Sequence, residues 1–544
     1  ALLLGGEYVL QDEYTLAIAA VQKVLALDPE NENALYLLGS VYVLQEDWEQ
    51  AEDAYARAAA IQPDDPSILH GLARSLSAQG KAVESEGPWR RYTELLPDDS
   101  EAWQFLALAL LFQGRNDEAA AVARQGLAVA EGAELYVSLG MALDGLGEDE
   151  DALAAFREAL ALDPKNAGAY RGIGEISRRA GALDEAIAAY AEAARLSSVA
   201  LDFVALAALY QQVGQIDAGL AAIGAALALE PDNSDALLRA GLLERDAGNL
   251  AAAEGYFQRS TRLRPDDPLP LLGLVQVAYQ QCRLSSAAQA AKQMAEVGTA
   301  PFFRMLLASI YLAQNRQAEA QTILDELRAS PVNDSDAHGA AARLLLRQDR
   351  LDEALAEFQL ALEAAPPGTL GAALLPYELG VLYLLLDQPL PGASEFSRAL
   401  ALRPAMIPAQ VSLGDVALWQ GEWETALGHY ATAWEALPVY RPLTDQENYD
   451  ILAAQIQAKE ALVMGTLGQV DAADEMMTAA LTLGRQLVEA NPQNPTAQFA
   501  LGGLHLLAGA REEADVAFAQ AIQCDASLAV AREQTEKVVQ QFQE

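Results

Sequence analysis

The side chains that most often carry chemistry are few and far apart in this 544-residue sequence. The candidates are four histidines, His70, His338, His429 and His505, and two cysteines, Cys282 and Cys524. None of the histidines has a second histidine or a cysteine at the spacing that zinc sites use. We therefore predict no metal site and no cofactor. Two cysteines cannot build a disulfide scaffold, and they are interpreted as small, buried or half-buried hydrophobic side chains.

Two short motifs look like parts of ligand-binding loops, but neither is complete. The pair Gly172-x-Gly174 lacks the third glycine and the preceding strand of a dinucleotide-binding turn. The run Asp334-x-Asp336-x-His338 begins like a calcium loop, yet its twelfth position holds Leu345, where a bidentate glutamate is required. We interpret this run as a helix N-terminus, capped by Ser335 or Asp336. No constellation of residues supports catalysis, so the chain is predicted not to be an enzyme.

The charge of the chain excludes several classes of partner. Against 35 lysine and arginine residues stand 77 aspartate and glutamate residues, a formal net charge of −42. Such a surface repels phosphate backbones and anionic lipids. Hydrophobic residues make up 52% of the chain, which favours a large core. No run approaches the ~20 uncharged apolar residues of a membrane-spanning helix. We expect a soluble protein that neither binds nucleic acid nor inserts directly into a membrane.

The elements that must position any functional residue are predicted by an internal repeat. The run Leu35-x-x-Leu38-Gly39-x-x-Tyr42 recurs as Tyr136-x-x-Leu139-Gly140-x-x-Leu143 and as Pro376-x-x-Leu379-Gly380-x-x-Tyr383. Each run is followed at a fixed distance by alanine, an aromatic residue, alanine and usually proline. Residues spaced by three and four share one face of a helix, so each repeat predicts two helices packed together.

Glycine and proline mark the ends of the two helices. A residue with positive φ ends the first helix, and a glycine recurs at that place, at Gly80, Gly114, Gly147, Gly181, Gly214, Gly248 and Gly421. An Asp-Pro or Gln-Pro pair stops the second helix, because the residue before proline avoids the α region. The small residue at the eighth position, such as Gly39, lets the second helix approach closely. One such unit cannot bury its own apolar face, so the units must stack.

This pattern resembles the tetratricopeptide repeat, a family of helix–turn–helix units of about 34 residues. The resemblance covers essentially the whole chain. It implies an all-α fold, a right-handed superhelical solenoid of about fifteen repeats. One repeat begins before residue 1, and the others are predicted to start near residues 32, 66, 100, 133, 167, 200, 234, 268, 301, 335, 373, 407, 454 and 495.

The departures from the pattern predict three segments. They are a repeat array over residues 1–438 with a clipped first repeat, divergent and lengthened repeats over 439–526, and a polar capping helix over 527–544. The repeats near 268 and 301 keep only the spacing of the motif. Insertions are expected at 366–371 and 439–450, either as binding loops or as plain drift. The clipped start predicts upstream residues, which could include an export signal or a membrane anchor.

The resemblance also implies that set positions of each first helix line a concave groove. Arginines recur at these positions, namely Arg74, Arg171, Arg178, Arg245 and Arg343. In so acidic a chain they either hold a partner's carboxylates or pair with acidic neighbours such as Glu175. The later groove is apolar and includes Tyr279, Phe302, Met305 and Tyr377. Such side chains are enriched at binding hot spots, although adjacent turns of a tight superhelix would also cover them.

These features predict a non-catalytic scaffold that binds a protein or peptide in its concave groove. The lysine and asparagine of the family's carboxylate clamp are absent, because those positions hold residues such as Tyr36 and Ser40. The alternative is a bacterial cell-envelope assembly factor, for exopolysaccharide secretion or pilus assembly, anchored by a missing N-terminal segment. The chain would then be periplasmic and not cytoplasmic. The alanine-rich, lysine-poor composition indicates a bacterial source, and the oligomeric state is left open.

Overall fold

Every regular element of the computed structural model is a helix. The structure describes residues 1–331, 334–366, 368–440 and 446–543, and these contain 31 α-helices and no strand. The helices α1 to α30 follow one another as fifteen helix–turn–helix pairs, and α31 follows the last pair. The predicted all-α repeat fold is therefore confirmed.

The helix bounds show how regular the pairs are. The first thirteen helices are α1 (Leu2–Val9), α2 (Tyr14–Leu25), α3 (Glu32–Leu44), α4 (Trp48–Ile61), α5 (Pro66–Ala78), α6 (Ala82–Leu95), α7 (Ser100–Phe112), α8 (Asn116–Val129), α9 (Ala133–Leu146), α10 (Asp149–Leu162), α11 (Ala167–Arg179), α12 (Leu183–Ser197) and α13 (Ala200–Gln212). The next nine are α14 (Ile216–Leu229), α15 (Ser234–Asp246), α16 (Leu250–Leu263), α17 (Pro268–Gln280), α18 (Leu284–Val297), α19 (Pro301–Ala313), α20 (Gln317–Arg328), α21 (Ser335–Leu346) and α22 (Leu351–Ala364). The last nine are α23 (Leu370–Leu385), α24 (Pro389–Leu402), α25 (Ile407–Trp419), α26 (Trp423–Tyr440), α27 (Gln446–Thr466), α28 (Val470–Ala490), α29 (Pro495–Leu507), α30 (Arg511–Cys524) and α31 (Leu528–Gln543).

Most first helices begin at the residue that the repeat pattern predicts, but two begin earlier. Helix α23 begins at Leu370 and not near 373, because the Thr369 hydroxyl caps an extra turn by accepting a hydrogen bond from the Ala372 amide. Helix α27 begins at Gln446 and not near 454, so residues 446–450 are helical and not a turn. The predicted insertions at 366–371 and 439–450 include Pro367 and residues 441–445, which lie outside the described residues.

Residue 438, where the first predicted segment ends, is a proline inside α26. The helix continues through this proline to Tyr440. Pro438 stands in the last turn, so the backbone hydrogen bond that it removes lies at the end of the helix. Within residues 439–526, where lengthened repeats are predicted, α27 and α28 have 21 residues each.

The turn between the two helices of a repeat has the predicted conformation. All seven glycines that the pattern singled out have positive φ, for example +72° at Gly80 and +81° at Gly248. Other repeats use a residue with a side chain at the same place, including Asn315 with a φ of +58° and Cys282 with a φ of +57°. Asparagine tolerates this conformation through local hydrogen bonds, whereas a cysteine has no such help.

The small residue at the eighth position of a repeat is required by an aromatic ring from the second helix. The ring of Phe257 in α16 lies between Gly241 in α15 and Gly273 in α17 and is fully buried. A Cβ atom added at Gly241 or Gly273 would meet that ring at 2.5 or 2.6 Å, respectively. The same packing explains Gly172-x-Gly174, which faces the rings of two other second helices. That motif serves packing and not nucleotide binding.

Replacing Gly241 by alanine is expected to lower the free energy of unfolding of its repeat by about 1–3 kcal/mol, because overpacking forces the buried ring to move. Gly255→Ala is the matched control. It lies on the same helix as Phe257, nothing lies within 4 Å of its added Cβ, and alanine favours a helix by about 0.5–1 kcal/mol over glycine. Denaturant unfolding of the two variants should therefore shift in opposite directions, and a shift in the same direction would contradict this account.

The chain forms two compact units, residues 1–206 (unit 1) and residues 207–544 (unit 2). The boundary falls inside α13, and nothing in the repeat pattern indicates it. The core of unit 1 includes Trp89, Leu106, Leu110 and Phe156, all buried. The core of unit 2 includes Phe358, Leu344 and Leu382.

Candidate functional site

Two of the predicted groove arginines in unit 1 are paired with carboxylates of the chain itself. Arg171 donates from Nε and Nη2 to the two carboxylate oxygens of Asp202, at 2.6 and 2.9 Å. Arg178 binds Glu175 in the same bidentate way, at 3.0 and 2.6 Å. Hydrogen bonding to these partners raises the pKa of both arginines.

The two groove arginines in unit 2 are paired as well. Arg245 contacts the carboxylate of Asp246 at 2.8 Å and donates to Gln276 at 2.5 Å. Arg343 binds Glu378 bidentately, at 2.7 and 2.8 Å. Burial raises the pKa of Glu378, and the guanidinium of Arg343 opposes that rise. Four of the five arginines thus already hold carboxylates.

Arg74 differs from the other four. It lies exposed on the first helix α5, and it forms no ion pair or hydrogen bond with the part of the chain that the structure describes. Its charge acts on two neighbours, the phenol of Tyr55 and the imidazole of His70. Burial is the main reason that the pKa of His70 is lowered; the carboxylates of Glu101 and Asp99 oppose this change, and the Arg74 charge adds to it. A positive charge without a partner is notable in so acidic a chain, because most arginines here are neutralised by neighbours.

A small apolar cavity lies between α5, α6 and α7, and its α5 wall is formed three residues after Arg74. It has a volume of about 90 Å³ and is lined by Ser77, Phe105, Leu108 and Phe112, with small residues completing its wall. Phe112 is 81% exposed, although it is a large apolar residue. Unit 1 therefore presents a cation and an apolar recess close together on its first-helix face.

Buried aromatic residues hold this face in place. Trp89 donates its indole N–H to the hydroxyl of Ser77 at 3.0 Å. Its ring is stacked on Phe105, with centroids 5.2 Å apart, and meets His70 edge to face at 5.5 Å. The contacts of Trp89 therefore join α5, which carries Arg74, to α7, which lines the cavity.

The four predicted apolar groove residues of unit 2 lie in different surroundings. Phe302 is exposed and meets Phe303 edge to face. Met305 is half-buried and packs against the core of unit 2. Tyr377 is half-buried, with its ring 6.0 Å from that of Phe396. Tyr279 is covered by the chain itself, since its hydroxyl donates to the Asp525 carboxylate at 2.5 Å.

The covering of Tyr279 is part of a longer contact made by residues 491–543, called the C-terminal segment below. This segment runs along the ends of four successive first helices, α17, α19, α21 and α23, and donates a hydrogen bond to a carbonyl at each. The donor and acceptor pairs, with their distances, are Asn491 to Gln280 (2.9 Å), the Ala526 amide to Ala313 (3.1 Å), Gln534 to Leu346 (3.3 Å) and Lys537 to Leu385 (2.8 Å). The last carbonyls of a helix lack partners within it, so each of these bonds satisfies an otherwise free acceptor.

The two cysteines are buried and half-buried, as predicted, but they are not separate apolar side chains. Cys282 and Cys524 form a disulfide across 242 residues of sequence, with their Cα atoms 5.5 Å apart. The bond joins the turn after α17 to the end of α30. Little in the sequence indicates this pairing, because the two residues lie six repeats apart. The one available signal is that Cys282 stands where other repeats have glycine.

The interpretation of Ser335 or Asp336 as a helix cap is also wrong in detail. Asp334 caps α21 by accepting a hydrogen bond from the Ala337 amide at 3.0 Å. Within the same helix His338 is buried and contacts Glu357 at 2.7 Å, and Glu357 also accepts from Arg328 at 2.8 Å. Among the described residues, no three histidine, cysteine or acidic side chains come together in a way that could hold a metal ion.

Both family models and known proteins match parts of this chain. Models of the tetratricopeptide repeat match residues 8–86, 137–200, 204–268 and 305–369. Cellulose synthase 1 operon protein C of Komagataeibacter xylinus is 31% identical over 211 residues, which cover 35% of this chain and 16% of that protein. This chain thus matches only a small part of that relative's length.

Two solved structures align over most of the chain. The Cut9-Hcn1 hetero-tetramer of the APC/C is 16% identical, covers 97% of this chain and 99% of its own, and has a TM-score of 0.40. Yeast Tom70 is 15% identical, covers 81% and 99%, and has a TM-score of 0.41. None of the helices in the described residues combines the length and apolar character needed to cross a membrane.

Proposed function

Because the chain belongs to the tetratricopeptide repeat family, whose members bind other proteins, we propose that it is a non-catalytic scaffold and that a polypeptide binds the first-helix face of unit 1. The observation that carries the proposal is Arg74, a groove arginine without a carboxylate, beside the cavity of Phe105, Leu108 and Phe112.

The chemistry of this face describes the partner. A guanidinium that makes no ion pair within the described residues can bind a carboxylate of a partner, preferably with two hydrogen bonds. The cavity, whose α5 wall is formed three residues after Arg74, accepts an apolar side chain. We therefore expect a segment in which an acidic residue, or a C-terminal carboxylate, stands close to an aliphatic or aromatic residue. The net charge of −42 disfavours long acidic chains, because their approach is repelled at a distance.

In unit 2, less of the surface formed by the first helices is open to a partner. Its C-terminal segment already covers the ends of α17 to α23, and its groove arginines, Arg245 and Arg343, are paired. Phe302 remains exposed and Met305 and Tyr377 half-buried, so they stay candidates for a second contact. We place the main contact on unit 1 because a free cation and an apolar recess coincide there.

The test is a selection from a random peptide library displayed on phage, followed by measured affinities. We expect the selected peptides to place an acidic residue next to an apolar one. Arg74→Glu should weaken their binding by about tenfold or more, which is about 1.4 kcal/mol, and should flatten its dependence on ionic strength.

Arg124→Glu is the matched control, because Arg124 is an exposed arginine without an ion pair among the described residues, on the second helix α8. It makes the same change of charge away from the first-helix face, and binding should change by less than about twofold. Equal weakening by the two substitutions would show that only net charge matters, and the proposed site would then be abandoned.

A second candidate function is assembly of the bacterial cell envelope. It is favoured by the similarity to cellulose synthase 1 operon protein C and by the disulfide, since such bonds persist in oxidising compartments such as the periplasm. Protease treatment of intact cells and of spheroplasts of the source organism separates the alternatives. Digestion only after the outer membrane is opened supports the envelope role, and protection until the cells are lysed contradicts it.

A further inference from the structure

The Cys282–Cys524 bond joins the two parts of unit 2 that the repeat pattern leaves unconnected. Cys282 forms the turn between α17 and α18, and Cys524 is the last residue of α30. Directly after it, the fully buried carboxylate of Asp525 accepts from the Tyr279 hydroxyl and from the amide and hydroxyl of Ser527. The covalent bond therefore lies beside the contacts that the C-terminal segment makes with α17 and α19.

The bond also borders a cleft. Both cysteines line this broad, open cleft of about 870 Å³, together with Arg283 and Arg316, which are paired with Glu254 and Glu319. The Nε of Arg283, next to Cys282 in the chain, is buried without a hydrogen-bond partner among the described residues. A disulfide exchanges when a thiolate attacks one of its sulfurs, and the cleft gives such a reagent a path to the bond.

We propose that Cys282 and Cys524 form a thiol–disulfide exchange site that controls the docking of the C-terminal segment. Its reaction partner is a dithiol, either a small molecule or an exposed protein pair. One thiolate of the partner attacks a sulfur of the 282–524 bond and forms a mixed disulfide, and one cysteine leaves as a thiolate. The second thiolate then displaces the other cysteine. The partner ends as a disulfide and this chain ends with two thiols, so two electrons have moved to this chain.

Reduction of the bond is expected to change unit 2 and to leave unit 1 unchanged. In the oxidised form the bond holds residues 491–543 along the ends of α17, α19, α21 and α23. In the reduced form only scattered hydrogen bonds and packing hold them, so the segment opens more often and exposes the face around Tyr279. Unit 1 contains no cysteine, and its helices serve as an internal control.

The experiment uses the full chain, purified without reductant and divided into untreated and dithiothreitol-treated samples, both without denaturant. Alkylation followed by mass spectrometry counts the free thiols. Hydrogen–deuterium exchange then reports on peptides from both units. We expect no free thiol before treatment and two after it. Amides within residues 491–543 and near Gln280 and Ala313 should exchange about tenfold faster after reduction, whereas peptides from residues 32–200 should not change.

The double variant Cys282→Ser/Cys524→Ser should reproduce the reduced pattern, and the reduced natural chain keeps the test decisive if that variant does not fold. Three results would overturn the proposal. Two free thiols before treatment would mean that the bond does not form. A bond that dithiothreitol reduces only in denaturant would exclude an exchange site, and unchanged exchange in residues 491–543 after reduction would exclude control of docking.

Discussion

Trp89→Ala is expected to lower the stability of the α5–α9 region by about 3–5 kcal/mol, which is a large loss for a single substitution. Trp89 has no exposed surface and is the largest fully buried side chain. Its removal leaves a cavity between α5, α6 and α7, and a solenoid closes such a cavity poorly because each repeat is fixed by both neighbours. It also leaves the Ser77 hydroxyl without its indole donor.

Native-state hydrogen exchange is the suitable measurement for Trp89→Ala, because a repeat array opens locally and a single unfolding midpoint averages over the repeats. Protection should fall most in peptides from α5 to α7 and should be unchanged in unit 2. Trp103→Ala is the control, since Trp103 is only half-buried and its indole donates to the carbonyl of Pro97 at 2.8 Å. An effect of Trp103→Ala as large as that of Trp89→Ala would contradict the cavity argument.

The predicted features that the structure reproduces are those fixed by neighbouring repeats. The starts of α3, α5 and α7, the left-handed glycines and the aromatic residue between two glycines all repeat with the motif, so each is supported many times within one sequence. In a solenoid each repeat contacts mainly its neighbours. A sequence pattern that spans one or two repeats therefore predicts most of the fold.

The contacts that could not be predicted from the sequence are those between distant repeats. Cys282 with Cys524, and Tyr279 with Asp525, are separated by more than two hundred residues, and no periodicity links them. The repeats near 268 and 301 have weak motifs, and the structure offers a reason. The ends of α17 and α19 receive the C-terminal segment, so residues there are constrained by that contact as well as by the motif.

Whether a groove arginine has a carboxylate partner could have been predicted from the sequence. Side chains that face each other in adjacent repeats lie about one repeat apart in the chain. The carboxylate of Asp202 stands 31 residues after Arg171, and that of Glu378 stands 35 residues after Arg343. At the same interval after Arg74 the sequence has the apolar stretch 105–109. Arg74 therefore has apolar residues at the interval where Arg171 and Arg343 have their acids, and Phe105, Leu108 and Ala109 of that stretch line the cavity.

The pairing of Arg171 and Arg178 leads to the second large expected effect. Both arginines lie on α11 and both bind a carboxylate with two hydrogen bonds, but Asp202 has no exposed surface, whereas Glu175 is 37% exposed. Removing the partner of a buried carboxylate leaves an uncompensated charge, which costs ~3–5 kcal/mol in a fully dry site. Since the Arg171 side chain is itself 40% exposed, water reaches the pair, and we expect about 2–4 kcal/mol for Arg171→Ala.

Arg178→Ala is the matched control for Arg171→Ala, with an expected loss of about 0–1 kcal/mol, because an exposed pair is solvated before and after the substitution. The double variant Arg171→Ala/Asp202→Ala should be more stable than Arg171→Ala alone, since it also removes the stranded carboxylate and leaves only Ser197 without its acceptor. Hydrogen exchange of peptides from α11 to α13 measures these differences. If Arg171→Ala and Arg178→Ala cost the same, Asp202 is not held by Arg171, and Arg171 would be as free as Arg74 to bind a partner.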